Sequence, residues 1–89
     1  MSIVQIRRNP ILFAKKIKGK WVLLEKGKDY VYELNELGSF IWERAEEPIK
    51  IKELTEEIVQ EYQVEQKQAQ EDLLEFLKDC LKKKIFLKA

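Results

Sequence analysis

Apolar positions in this chain change their spacing near Leu34. From Ile11 to Leu34 they come in short runs, ILFAKKI (Ile11–Ile17), WVLLE (Trp21–Glu25) and YVYEL (Tyr30–Leu34), separated by Lys18-Gly19-Lys20 and Lys26-Gly27-Lys28. Runs rich in β-branched and aromatic residues, bounded by glycine turns, predict a meander of three antiparallel strands over residues 10–34. In the third run Tyr30, Tyr32 and Leu34 alternate with Val31 and Glu33, so one face is aromatic and the other mixed. Residues 1–9 are expected to be a flexible or edge N-terminus.

Beyond Leu34 the period becomes helical. Asn35 is a good N-cap, and Leu37, Phe40, Ile41 and Ala45 follow at helical spacing until Pro48. Ile51, Leu54, Ile58 and Tyr62 mark a second helix, and a break at Gln63-Val64 leads to a third, over roughly 65–84. The fold class read from this order is α+β: a winged-helix-like domain over residues 1–89, with a three-stranded antiparallel sheet (10–34) followed by a three-helix bundle (35–88).

The third helix is lopsided. With Leu73 set at zero, Ala69, Phe76, Leu77 and Cys80 fall within about 60° of it and form a core stripe. Leu81 and Leu74 lie at about 80° and 100° on one shoulder only. That shoulder either packs against another helix or forms the wall of a groove.

Composition narrows the chemistry. The 89 residues hold no histidine, one cysteine (Cys80) and one methionine (Met1). Zinc fingers, disulfide frameworks, His-based nucleophilic pairs and imidazole acid–base catalysis cannot be built from them. No cofactor, metal or catalytic residue is expected. No apolar run reaches bilayer length and no signal peptide is recognisable, so a cytoplasmic protein is expected, with Cys80 a small core residue.

The net charge of +1 hides a strong segregation. Residues 1–28 carry +7, residues 29–75 carry −10 and residues 76–89 carry +4. The pattern argues against the runner-up function, a winged-helix DNA-binding regulator or antitoxin. The N-terminal half of the third helix, where base contacts would fall, holds Glu65, Glu71, Asp72 and Glu75 against Lys67 alone. Acids at the start of a helix and lysines at its end also complement the macrodipole.

An exposed sheet edge is what remains. Pro10, Lys15, Lys16 and Lys18 blunt the first strand, whereas the third carries two tyrosines, a valine and one internal charge. An open strand beside a groove is the geometry that captures an extended peptide by β-augmentation. The same edges make either a monomer or a weak, domain-swapped dimer the expected state.

The run Tyr32-Glu33-Leu34-Asn35-Glu36-Leu37-Gly38-Ser39-Phe40-Ile41-Trp42-Glu43 resembles the PqqD family signature, most specifically at Leu34 to Trp42. Ile51, Leu54, Ile58 and Tyr62-Gln63-Val64, followed by Ala69, Asp72, Leu73, Phe76, Leu77 and Leu81, resemble that family's two helices around a Tyr-x-Val turn. The resemblance covers residues 10–88. It implies a RiPP recognition element, which binds the leader peptide of a ribosomally synthesised, post-translationally modified precursor and performs no chemistry itself. In that family the leader adds beside the third strand, lies against the third helix, and is delivered to a lasso-peptide leader peptidase or to a radical-SAM or other modifying enzyme. Carried onto this chain, Asp29, Tyr30, Val31, Tyr32, Glu33 and Leu34 supply the pairing edge. Leu74, Leu77, Lys78 and Leu81 line the groove, and Lys82 and Lys84 attract acidic leader residues. The partners implied are a leader peptide and a processing enzyme, with no nucleic acid and no membrane.

Overall fold

The structure is a computed structural model and describes residues 3–89. Its elements run β1 (Gln5–Arg8), β2 (Leu12–Ile17), β3 (Lys20–Glu25), β4 (Val31–Glu33), α1 (Glu36–Arg44), β5 (Ile49–Lys50), α2 (Ile51–Tyr62), α3 (Gln66–Lys82) and β6 (Phe86–Lys88). The predicted meander is present as the antiparallel sheet β2-β3-β4, and the three helices follow it. No helix among the described residues is long and apolar enough to cross a membrane.

Turn chemistry sets the register of the meander. Lys18 and Gly19 both adopt positive φ, at 52° and 83°, while Ile17 pairs with Lys20. This is the two-residue loop whose twist matches paired strands. Phe13 then faces Leu24 across the sheet, and Leu24 faces Val31, so these three exposed side chains form a row over the outer face. The inner face supplies Leu23, which is fully buried.

A second sheet, in the order β5-β1-β6, was not foreseen. Residues 5–8, expected to be flexible or an edge, are instead its middle strand, with Ile6 fully buried. Gln5 pairs with Lys50, and Arg8 pairs with Phe86. Residues 1–2 of that N-terminal stretch lie outside the described part. The Arg8 N–H donates to the Ala45 carbonyl at 3.0 Å and its Nε to the Trp42 carbonyl at 2.8 Å. The guanidinium also lies 4.9 Å from the centre of the Trp42 ring. A cation among the last carbonyls of α1 satisfies groups that the helix leaves unpaired.

The helix ends explain the helix lengths. At the start of α1, Asn35 Oδ1 accepts the Gly38 N–H at 2.8 Å, as a capping Asn does. Gln63, with φ 53°, ends α2 in the left-handed conformation. At the end of α3, the Ile85 N–H bonds the Cys80 carbonyl and the Lys84 N–H bonds the Leu81 carbonyl, with Lys84 at φ 61°. That pair of bonds is a Schellman motif, and it turns the chain into β6 where the periodicity alone extended the helix to residue 84. Asn9, itself buried, donates its side-chain amide to the Lys84 carbonyl at 2.8 Å and holds the reversal in place.

Both sheets and all three helices contribute to one core, in which Trp42, Phe86, Ile6, Leu23, Ile41, Leu54, Leu73 and Leu77 are the largest fully buried side chains.

Candidate functional site

The third strand of the meander, β4, is bonded on one side only. The Leu34 N–H donates to the Trp21 carbonyl at 2.9 Å, which makes Leu34–Trp21 a hydrogen-bonded pair. Such pairs alternate along an antiparallel ladder. Tyr32 therefore also turns its backbone toward β3, and the N–H and C=O groups of Val31 and Glu33 point outward from the sheet. Val31 is 55% exposed and Tyr30, just before the strand, 50%. The Tyr30 and Tyr32 rings pack edge to face at 5.3 Å. A hydrogen bond with Tyr30, then burial, pushes the Tyr32 phenol above its ordinary pKa.

Ser39 fixes where this strand ends. A direct ladder bond from the Trp21 N–H to the Leu34 carbonyl is replaced by the Ser39 hydroxyl, which accepts from Trp21 at 3.0 Å and donates to Leu34 at 3.3 Å. The first turn of α1 is thereby stitched into the sheet. Gly38, one residue earlier, has no room for a side chain: a Cβ there would stand 3.0 Å from the Phe76 ring, 3.2 Å from Asn35 Oδ1 and 3.3 Å from Leu34 Cβ. The Leu-Asn-x-x-Gly-Ser run thus joins β4, α1 and α3 at one point.

Beside β4 lies a cleft of about 180 Å³ whose opposite wall is α3. Its lining includes Tyr32, Glu33 and Leu34 from the strand and Phe76, Asp79, Cys80 and Lys83 from the helix. Asn35 also lines a larger hollow of about 370 Å³, together with Leu37, Ile58, Tyr62, Val64, Ala69 and Asp72. Burial pushes the Tyr62 phenol up, with Glu36 and Glu61 adding to it. Burial, reinforced by Asp79 and opposed by Lys83, raises the Cys80 thiol to about 12. At neutral pH that sulfur is an un-ionised apolar group, not a nucleophile. The charges along the two hollows are mainly acidic, with Glu33, Glu36, Asp72 and Asp79 against Lys83, which is itself paired with Asp79 at 3.0 Å.

Residues 20–85 match the family described as Coenzyme PQQ synthesis protein D (PqqD). The chain belongs to the PqqD family. Among solved structures, this PqqD-family chain is similar to TbiB1, determined in complex with the TbiA(beta) leader peptide. The TM-score is 0.80 at 26% identity, over 90% of this chain and 93% of that one. No curated protein sequence matches it. Both the family and the α+β fold read from the sequence are therefore borne out.

The structure divides the predicted site residues of this PqqD-family chain into two groups. Asp29 to Leu34 do form or flank the open strand, although the Leu34 side chain is buried and its N–H already committed to Trp21. The predicted helix residues lie elsewhere. Leu77 is fully buried in the core and lines no groove. Lys78, Leu81, Lys82 and Lys84 border a separate hollow with Ile3, Phe86, Leu87 and Lys88. Leu74, 37% exposed, lies on that same shoulder and not among the residues lining the β4 cleft. The reason is helical geometry: the leucine shoulder lies at about +80° to +100° from Leu73, whereas Phe76, Asp79 and Lys83 lie at about −60° to −120°. The apolar excess on the first side is met by Ile3 and β6, elements that periodicity did not reveal. The cleft residues missed by the sequence reading carry one signal in retrospect. Asp72, Phe76, Asp79 and Lys83 repeat at three- and four-residue spacing along a single flank.

Proposed function

We propose that this protein is a RiPP recognition element that binds the leader segment of a ribosomally made precursor as an added strand on β4. The leader lies along the Phe76–Lys83 flank of α3 and is carried to a separate processing enzyme, either a leader peptidase or a radical-SAM or other modifying enzyme. The protein performs no chemistry of its own. The observation that carries this reading is the outward-facing backbone of Val31 and Glu33 directly beside a cleft, in a PqqD-family chain whose fold matches that of TbiB1. Main-chain bonds supply affinity and the cleft selects alternate side chains of the incoming strand. Because Glu33 edges the cleft, and Glu36 and Asp72 line the hollow on its Asn35 side, the site favours a leader with basic residues beside its apolar ones. The acidic preference expected from Lys82 and Lys84 is dropped, since those lysines face another hollow.

The test is fluorescence polarisation with a labelled candidate leader. Val31→Pro removes an outward donor from an exposed position and leaves the helices intact by circular dichroism. Affinity is expected to fall at least about tenfold, since a pairing strand cannot lose a ladder bond cheaply. Unchanged affinity would show that the leader does not add at β4.

A further inference from the structure

On the far flank of α3 from the leader cleft, a hollow of about 590 Å³ opens between the helix and β6. Ile3, Leu81 and Leu87, all partly exposed, give it an apolar floor, and Lys78, Lys82 and Lys84 stand exposed around it. No acidic residue lines it. Among the described residues, none of these three lysines has a carboxylate within ion-pair distance, whereas Lys83, on the leader side of the same helix, is held by Asp79 at 3.0 Å. Lys82, in the last turn of α3, and Lys84, just beyond it, also complement the helix dipole, but Lys78, a turn earlier, does not.

We infer that this hollow is a second docking surface, which takes an acidic, leucine-bearing segment of a partner protein. The charge pattern selects the occupant. Three unpaired lysines around an apolar floor complement carboxylates that flank one or two aliphatic side chains. A small free anion would leave the floor unused. Nucleic acid is disfavoured because the lining holds no arginine to read a groove and no exposed aromatic side chain on which a base can stack. The surface is separate from the β4 edge, with α3 between them, so both can be occupied together. The inference does not depend on the leader reading.

The experiment uses the full chain and a short labelled peptide bearing two leucines flanked by glutamates. Three probes accompany it: the leucine-to-serine version, the glutamate-to-lysine version and a DNA duplex. The glutamate–leucine peptide alone is expected to bind. K78E/K82E, which changes only exposed side chains, should weaken it by about tenfold or more, while Val31→Pro leaves it unchanged. Equal binding of the serine version would reduce the surface to diffuse charge. Tighter binding of the duplex would make it a nucleic-acid surface. No binding of the glutamate–leucine peptide, or an affinity untouched by K78E/K82E, would remove the site. Salt-sensitive self-association in sedimentation velocity, abolished by K78E/K82E, would identify the occupant as a second copy of the chain and overturn the proposal.

Discussion

Ser39 shows how one hydroxyl can place a binding edge. It bridges the Trp21 amide and the Leu34 carbonyl, so the end of β4 depends on a side chain of α1 as well as on β3. Ser39→Ala leaves both of those backbone groups without that partner. It is expected to cost about 1–3 kcal/mol, read as a lowered urea midpoint with an unchanged slope. Asn35 was legible as a cap because Asn before a helical period has a known job. Ser39 was not, because a serine in a first helical turn has no distinctive spacing and one of its two partners, Trp21, lies in a strand 18 residues away. Gly38 carried part of the family resemblance, and its steric role became visible only with Phe76 of α3 above it.

At the scale of elements, turns and caps decide where edges and flanks fall. Lys18 occupies a left-handed position beside Gly19 in the β2–β3 hairpin. Asparagine tolerates that conformation better than lysine does. Lys18→Asn is therefore expected to stabilise the protein by about 0.5 kcal/mol, measured by thermal or urea unfolding, without altering leader affinity. The meander and helices were readable because each has a local period. β1, β5 and β6 were not, since these strands of four, two and three residues have no glycine turn beside them to mark them, as Gly27 marks the equally short β4. That omission moved the predicted groove. With β6 unseen, the Leu74/Leu81 shoulder looked unpartnered, whereas Leu81 borders β6 and the β4 cleft lies on the opposite flank of α3. The α3 stripe itself was read correctly, with Ala69, Leu73 and Cys80 in the core. Leu77 belongs to that stripe and not to a wall.

For the whole molecule, charge segregation in the sequence becomes two faces about one helix. The basic tail surrounds the β6 hollow, and the acidic middle segment supplies most of the carboxylates along the β4 cleft and the hollow on its Asn35 side. Sheet and helix layers are also tied by a single carboxylate. Glu43 of α1 accepts from Lys16 Nζ of β2 at 2.8 Å and from Trp21 Nε1 of β3 at 2.9 Å. The Lys16 bond first, then the Trp21 bond, holds its pKa below the ordinary glutamate value. A carboxylate with a depressed folded-state pKa contributes stability above its unfolded pKa of about 4.3, and loses it as pH falls through the folded value. Glu43→Gln is accordingly expected to lower the urea midpoint near neutral pH, and the gap from the parent protein should close as the pH drops below about 4. A gap independent of pH would assign the effect to packing.

The middle position of β1 also sets an order of events during synthesis. Its partners lie near residue 50 and at residues 86–88, so the second sheet closes only when residues 5–8 meet residues 86–88. The β2–β3 hairpin needs only neighbours and can form as soon as it emerges from the ribosome. Ile6 and Phe86, both fully buried in the folded domain, cannot be covered by each other's strands until residues 86–88 are made. A nascent chain therefore can form its first hairpin well before the sheet that closes its core is complete.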